Sequence, residues 1–574
     1  MMHYRFSFPN RVSRFAVIEF HVDGLSGDDL EVRLPAWRPG RYELGNFAKN
    51  IRSWKATDDK GNPLSYMKTG KDSWRIELDG ATSVIVKYDY YCSQPDAGAC
   101  WIDESLIYIN PVHCCLYVPE QISRQCTVEL LLPEEYTVAC SMAFDGKGRL
   151  TASDYHELVD SPWMASAELI HDTYRVAETD FHLWFHGAVQ PDLQRITSDF
   201  RKFTEVQIRT MGDIPVRAYH FLVLALPYPF YHGVEHLRST VLAIGPAGSL
   251  MDPPLYDELT GVASHELFHV WNIKSLRPAE MLPYDYTSEN YSRLGFVYEG
   301  VTTYYGDLFL ARAGVYSHEK FLAEIGVRLQ RHFDSHARFH QPVAEASFDT
   351  WLDGYVPGIP HRKTSIYDEG SLVALMTDLL IRRSTGHKAS LDHVMRILYE
   401  DFAKKRIGYT EGDYIMVTEG VAGIPVADFF ADFVYGTENY ETLLKELLQE
   451  VGCELVRSPS SVPCERRFGF RVTESSGTTV VKAVLPGSVA DRAGLGKDDE
   501  VIAVNGRKVE GNLDILMEGE EVTEFHISVM TPMKRMKDVV LVSEPVSYYH
   551  RYSVKTMEGA SADLEAARHK WLNG

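Results

Sequence analysis

The hydrophobic periodicity of the chain changes twice along its length, and this limits the fold to several structural units of different kinds. Residues 1 to about 175 contain short β-branched and aromatic runs separated by Gly, Pro and Asp, which predicts an antiparallel β-domain. From about 190, apolar residues recur at three- and four-residue intervals, which predicts a mostly helical segment with a small sheet. Strand patterns return from about 465. A chain of 574 residues is also several times longer than one typical domain.

We therefore expect a multidomain α+β protein. The predicted parts are a β-rich domain, a mostly helical domain, a small β-barrel domain and a polar tail that could form a helix, at 1–175, 176–455, 456–548 and 549–574. The helices predicted in the central part span 255–275, 291–313, 318–333, 367–384 and 389–404.

The composition excludes several classes of partner. The 58 Lys and Arg against 80 Asp and Glu give a net charge of −22, whereas a nucleic-acid or anionic-membrane binder needs a basic face. The most apolar run, 221–231, is too short to cross a membrane and contains two prolines. The eight cysteines include no CxxC pair, and the N-terminus lacks a long apolar run. We expect a reduced, cytoplasmic protein that binds neither nucleic acid nor membranes.

The sequence His265-Glu266-Leu267-Phe268-His269 is the strongest chemical signal. Positions i and i+4 share one face of a helix, so both imidazoles can reach one metal ion, and the glutamate is placed to take a proton from water beside it. The alternative is a surface helix with two solvated histidines. The flanking residues are apolar, which predicts a buried helix, and buried His and Glu side chains are costly unless a metal pairs them.

Two histidines leave a catalytic zinc site one protein ligand short. Glu299 is the candidate, because it lies in an apolar and aromatic helical stretch where an unpaired carboxylate would be expensive; the alternative is an exposed helix-face glutamate. Glu280 and Glu289 lie in a loop rich in Pro, Tyr and Asn and are weaker candidates.

Three histidines at four-residue spacing form a rival group: His332, His336 and His340. They lack an acidic partner and lie among Arg, Asp, Ser and Gln, so we expect them on a solvated helix face.

Four segments resemble one known family in the same order along the chain. They are LPAWRPGRYELGNFAKNI at 34–51, YHGVEHLRST at 231–240, HELFHVWNIKSLRP at 265–278 followed by Glu299-Gly300, and PGSVADRAGLGKDDEVIAVNGRKV at 486–509. Together they resemble the glycyl aminopeptidase family of PDZ-containing gluzincin zinc metallopeptidases. The resemblance implies a β-rich N-terminal domain, a thermolysin-like catalytic domain and a C-terminal PDZ domain. It also implies one zinc ion per chain.

Two further roles follow from the wider group of aminopeptidases with a GxMEN motif. Gly233 and Glu235 resemble that motif, with His236 where Asn is usual, and the motif's Glu binds the free α-amino group of the substrate. Tyr367 resembles the Tyr of a Tyr-x-Lys-Gly element, which donates a hydrogen bond to the oxyanion, but Glu369 replaces the Lys. The alternatives are a loop carboxylate and an ordinary core tyrosine.

The PDZ-like segment offers Arg467, Phe468, Gly469 and Phe470 as a carboxylate-binding loop, in which backbone N–H groups would capture a peptide C-terminus. The alternative is a PDZ domain that packs on the catalytic domain or mediates assembly.

The sequence thus predicts a zinc aminopeptidase that acts on peptides with a free N-terminus, with Gly and Ala favoured by the resemblance. Two other hypotheses stay open. One is a zinc endopeptidase on the same core, and the other is a peptide-binding PDZ protein with a degenerate peptidase core. The oligomeric state is not predicted.

Overall fold

The computed structural model describes residues 2–356, 358–519 and 521–574, and the chain has the mixed α+β architecture that the periodicity predicts. An N-terminal region of sheets is followed by a mostly helical region and then by a second region of strands.

The described residues of the N-terminal region form three sheets and one short α-helix, besides short 3-10 turns. Its elements are β1 (Met2–Ser7), β2 (Phe15–Asp23), β3 (Asp29–Arg33), β4 (Ile51–Thr57), β5 (Tyr66–Lys68), β6 (Ser73–Glu77), β7 (Ser83–Tyr91), β8 (Trp101–Ile102), β9 (Ile107–Ile109), β10 (Cys126–Leu131), β11 (Thr137–Cys140), β12 (Ala143–Phe144), β13 (Arg149–Ala152), α1 (Tyr155–Val159) and β14 (Trp163–Ser166). The strand orders are β12-β13-β10-β1-β2-β7-β4, β11-β14-β9-β8 and β3-β6-β5. Every second residue of β2 is buried, which is why this segment forms a half-buried strand.

One pairing departs from the antiparallel arrangement that we expected. The strands β1 and β10 run parallel, with Met2 opposite Cys126, while β1 and β2 are antiparallel. Parallel neighbours need a long connection, and more than 100 residues separate these two strands.

The central region begins with a five-stranded sheet of order β15-β16-β17-β19-β18. It contains β15 (Ile170–Val176), β16 (Thr179–His186), β17 (Ala218–Ala225), β18 (Phe230–Glu235) and β19 (Ser239–Gly245), with α2 (Leu193–Met211) between β16 and β17. Strand β18 is an edge strand, antiparallel to β19, and it ends at Glu235. The boundary predicted at 175 lies inside β15 and remains a prediction.

The helices of the central region follow. They are α3 (Pro253–Phe268), α4 (Thr302–Arg312), α5 (His318–Asp334), α6 (Val343–Asp353), α7 (Asp368–Thr385), α8 (Leu391–Leu398), α9 (Glu411–Ala422), α10 (Ala427–Phe433) and α11 (Tyr440–Gln449). π-Helical turns at Phe296–Val301 and Tyr399–Ala403 lead into α4 and extend α8.

The C-terminal strands form two separate sheets. The elements are β20 (Cys453–Pro459), β21 (Phe470–Ser475), β22 (Thr478–Val484), α12 (Val489–Arg492), β23 (Glu500–Val504), β24 (Arg507–Lys508), α13 (Leu513–Leu516), β25 (Glu524–Met530), β26 (Met536–Val542), β27 (His550–Thr556) and α14 (Ala562–Asn573). The PDZ-like sheet has the order β21-β22-β23-β25-β26, an open path among the described residues rather than a closed barrel. Strands β20 and β27 pair with each other.

The clusters of buried apolar side chains do not follow the division into three regions of secondary structure. One continuous apolar cluster extends from the N-terminal sheets through the central helices to Trp571, whereas the PDZ-like region has a core of its own around Phe468 and Phe470. Within the described part of the chain, no helix combines the length and the apolarity needed to cross a membrane.

Candidate active site

The HExxH motif lies on the last turn of α3. The helix ends at Phe268, earlier than predicted, because the chain turns at His269, whose Nδ1 donates to the backbone carbonyl of Asn272 at 2.6 Å. This hydrogen bond leaves Nε2 of His269 free to accept. That nitrogen lies 3.0 Å from Nε2 of His265. The sequence folds as a helix here because its apolar residues are buried on several sides.

Glu299 completes a group of three possible ligands. Its Oε2 lies 3.7 Å from Nε2 of His265 and 3.5 Å from Nε2 of His269. Four tetrahedral ligands at about 2.0–2.1 Å from a zinc ion are separated by about 3.3 Å, so these atoms suit such an ion. The side chains of His269 and Glu299 are almost fully buried, so the protein surrounds both ligands and excludes bulk water from them. These three residues can therefore hold a metal ion.

Close backbone packing brings Glu299 and Tyr367 to one place. Glu299 lies in the π-helical turn before α4, and such turns are frequent at functional sites. Gly300 crosses Gly370 of α7 so closely that a Cβ on Gly370 would be 2.8 Å from the Cα of Gly300. Tyr367 precedes the first residue of α7, so this crossing places its side chain in the same cleft as Glu299.

Two further carboxylates lie beside the motif. Glu235, at the end of β18, is 4% exposed, and Glu266 is 5% exposed. Among the described residues, Oε1 of Glu235 and Oε2 of Glu266 have no hydrogen-bond partner. Both carboxylates lie within 4.8 Å of His269 and of each other. Gly233 faces Glu266, and a side chain there would collide with the carboxylate. The glycine thus leaves room for Glu266.

Burial and neighbouring charges shift the pKa values of the ionisable residues in the site. Burial opposes ionisation of Glu299, but hydrogen bonds from His265 and His269 outweigh it and lower the pKa of Glu299 to about 2. Burial raises the pKa of Glu266, and the carboxylates of Glu235 and Glu299 add to the rise. Burial, followed by the charge of Glu299, raises the pKa of Tyr367, so its phenol stays protonated and can donate.

All of these residues line one cleft of about 970 Å³. Its walls come from the loop around Gly40 in the N-terminal region, from β18, from α3 to α5 and from the start of α7. The volume is large enough for a short peptide.

Two residues of the N-terminal region also reach the site, and our sequence reasoning missed them. The hydroxyl of Tyr42 donates to Oε1 of Glu299 at 3.3 Å. Gly40 has a φ of 82° and packs against Glu235, so a Cβ there would collide with the carboxylate. Both belong to the stretch at 34–51 that carries the family resemblance, which is the signal that could have indicated a role at the site.

His236, which departs from the GxMEN pattern, is part of a buried ionic group. Its Nδ1 lies 3.2 Å from Oδ1 of Asp160, and Nζ of Lys274 lies 2.6 Å from the same oxygen. Asp160 also accepts from the backbone N–H of Leu237 at 2.9 Å. This group holds the chain that follows Glu235 against the N-terminal region.

The expectation of a solvated face for His332, His336 and His340 is wrong for the first of them. His332 is 3% exposed, and its Nδ1 lies 2.6 Å from Oε2 of Glu369, which stands where the Tyr-x-Lys-Gly element has its Lys. His336 and His340 lie nearer the surface, where Nε2 of His340 is 3.3 Å from Nδ1 of His336. The local sequence around His332 does not reveal this partner, because Glu369 lies 37 residues away.

The residues predicted as the PDZ carboxylate-binding loop are engaged in contacts within the PDZ region. Cys464–Phe468 forms a π-helical turn, and the N–H of Gly469 donates to the carbonyl of Glu465 at 3.2 Å. Phe468 and Phe470 are fully buried in the PDZ core. In this conformation the amide of Gly469 is not available to a peptide carboxylate.

Comparison with known families identifies the chain. Residues 3–167 match the peptidase M61 N-terminal domain, residues 258–373 match the M61 glycyl aminopeptidase model, and residues 461–513 match the PDZ domain. The chain belongs to the M61 peptidases. It is accordingly a metallopeptidase with a PDZ domain.

Two solved structures are similar to the chain to different degrees. The crystal structure of an aminopeptidase N family protein from Idiomarina loihiensis is 26% identical, with a TM-score of 0.91 and 100% of each chain covered. The M1 zinc metallopeptidase from Deinococcus radiodurans is more distant, at 13% identity and a TM-score of 0.45, covering 74% of this chain and 90% of that chain. No curated protein matches the chain.

Proposed function

We propose that this M61 peptidase is a zinc-dependent aminopeptidase that removes small N-terminal residues, Gly and Ala foremost, from peptides. One observation carries the proposal: a carboxylate oxygen of the buried Glu235 lies within 4.8 Å of a ring nitrogen of His269, and its Oε1 has no hydrogen-bond partner among the described residues. A carboxylate in this position would pair with the α-ammonium group of a peptide and so limit cleavage to the first residue.

Zinc is the metal that fits the donor set best. His265, His269 and Glu299 would hold it through two imidazole nitrogens and one carboxylate oxygen, the usual ligands of a catalytic zinc site. When bound, zinc supplies a Lewis acid that lowers the pKa of water and polarises the scissile carbonyl.

The remaining steps belong to side chains of this chain. Glu266 would take a proton from the attacking water and pass it to the leaving amine, a role that its buried position and raised pKa favour. Tyr367 would donate its phenolic proton in a hydrogen bond to the developing oxyanion. Gly233 would leave the space that Glu266 needs.

The packing beside Glu235 supports the preference for small first residues. Gly40 lies directly against that carboxylate, so this end of the cleft is closed by the N-terminal region. A bulky first side chain would have to displace this loop, whereas a short one, such as that of alanine, would not.

The substitution Glu266→Gln tests the proposed general base. We expect the variant to keep one zinc per chain and to lose turnover by at least about a thousandfold, because the amide cannot accept the proton. Metal analysis and hydrolysis of Gly- and Ala-p-nitroanilide, with and without a chelator, measure both effects. Full turnover in a zinc-loaded variant would refute the role of Glu266.

The substitution Glu235→Ala tests the amino-group anchor. We expect KM for peptides with a free N-terminus to rise by about tenfold or more, because the ammonium loses its charged partner. A panel of free and N-acetylated peptides on the parent protein is the control. Equal cleavage of both kinds would instead favour an endopeptidase on the same core.

A further inference from the structure

Arg38 is a buried cation in the active-site cleft that the mechanism above does not use. It is 4% exposed and lines the same cleft as Glu235 and Glu266. Its guanidinium donates through one nitrogen to the carbonyl of Pro39 at 3.2 Å. Among the residues that the structure describes, no carboxylate oxygen lies within 4 Å of it.

A tight turn holds Arg38 in place. Residues 38–41 read Arg-Pro-Gly-Arg, the N–H of Arg41 donates to the carbonyl of Arg38 at 3.2 Å, and Gly40 has a φ of 82°. Proline and then a glycine of positive φ are the residues that a type II turn needs. The same turn presses Gly40 against Glu235, so Arg38 is fixed close to the proposed amino-group anchor.

The surroundings also fix the guanidinium itself. It lies over the backbone of Gly98, where a side chain would collide with it. Asp96, His232 and Glu266 line the cleft beside it. Burial and then the charge of Arg38 lower the pKa of His232, and the same charge opposes the rise in the pKa of Glu266. The other cation of the turn, Arg41, is already paired with Glu43.

Asp96 and Glu266 lie beside Arg38 without forming an ion pair with it, so the buried guanidinium keeps N–H donors that a carboxylate of a bound substrate could satisfy. The α-amino group of a substrate cannot satisfy them, because that group is itself positive. The first side chain of the substrate can, if it is short and acidic. We propose that Arg38 is a specificity-determining residue that favours an acidic first side chain, aspartate, over its neutral isostere asparagine. This inference rests on the proposed aminopeptidase function.

The test compares Asp- and Asn-p-nitroanilide, which differ in charge but hardly in size. We expect kcat/KM of the parent to favour Asp by about tenfold, and Arg38→Gln to bring the ratio close to one. Arg38→Lys keeps the charge and should retain part of the preference. Arg52→Gln is the matched control, because it removes the same charge from an exposed side chain on β4 that pairs with Asp89.

A purely structural role for Arg38 would give a different result. Arg38→Gln would then unfold at a lower temperature but would keep the Asp-to-Asn ratio of the parent, and this outcome would overturn the proposal. A parent that does not distinguish Asp from Asn would overturn it as well. Zinc content and the thermal midpoint of each variant show whether the site and the fold are intact.

A binding measurement separates this inference from the proposed function. Asp-Gly and Asn-Gly can be titrated calorimetrically into Glu266→Gln, with and without Arg38→Gln. We expect tighter binding of Asp-Gly only when Arg38 is present. Equal affinities for the two dipeptides would refute the role of Arg38. Absence of aminopeptidase activity in the zinc-loaded parent would refute the proposed function while leaving this comparison valid.

Discussion

At the scale of single residues, the sequence predicts the metal-ligating motif but not the residues that support it. His265, Glu266 and His269 are close in sequence, and their spacing alone puts both histidines near one point. Glu299 is predicted as the third ligand because a carboxylate in an apolar helix needs a partner. Tyr42, which donates to Glu299, lies 257 residues before it, and no local pattern links the two.

The substitution Tyr42→Phe should weaken metal binding while leaving the three proposed ligands in place. Loss of a hydrogen bond to a ligand typically lowers metal affinity by about tenfold or more, because the ligand is less well oriented. Competition with a zinc chelator measures the affinity directly. Tyr91→Phe, which removes a hydroxyl from a partly exposed position on β7, is the control. Equal zinc affinity of Tyr42→Phe and the parent would show that this hydrogen bond does not support the site.

At the scale of elements, the helices were predictable where one face is apolar. The helix predicted over 318–333 is His318–Asp334, and the one predicted over 367–384 is Asp368–Thr385. The helix predicted over 291–313 instead begins with a π-helical turn at Phe296–Val301. Periodicity cannot reveal that change, because both kinds of turn bury the same apolar residues and differ only in their hydrogen bonds.

The segment after α1 and the segment after α3 are joined through Asp160 and Lys274. Burial opposes ionisation of Asp160, but the charge of Lys274 and the hydrogen bonds from His236 and Lys274 lower its pKa. A carboxylate with a lowered pKa in the folded state adds stability above its unfolded pKa and loses it as the pH falls toward the folded value.

Asp160→Asn should therefore lower the free energy of unfolding by about 3 kcal/mol at pH 7, because the buried Lys274 loses its counter-charge. The difference from the parent should stay constant down to about pH 5 and shrink below about pH 4, where the carboxylate protonates in the unfolded chain. Urea unfolding at several pH values measures it. A difference that grows on acidification would contradict this assignment.

At the scale of the whole molecule, the end of the chain returns to the catalytic region. The PDZ domain is inserted between β20 and β27, which pair with each other, and α14 then packs on α4. The indole of Trp571 donates to the hydroxyl of Tyr304 at 2.8 Å. The PDZ domain contacts the catalytic region through Arg471, which forms an ion pair with Asp334 of α5 at 2.7 Å.

Trp571→Ala should destabilise the catalytic region rather than the PDZ domain. Loss of a fully buried indole costs about 3–5 kcal/mol, and the cores of the two parts are separate. Urea unfolding followed by hydrogen exchange shows which part opens. His569→Ala, at an exposed position of the same helix, should change the free energy of unfolding by less than about 0.5 kcal/mol.

The sequence by itself determined the α+β class and the order of the parts that match family models, and it predicted the residues that can hold a metal ion. Each depends on spacing or periodicity within a short stretch of chain. The tertiary structure decided what lies around the motif. It placed Arg38, Gly40 and Tyr42 of the N-terminal region against Glu235 and Glu299, and it paired His332 with Glu369. These contacts join residues far apart in the chain, so only the packing of whole domains brings them together.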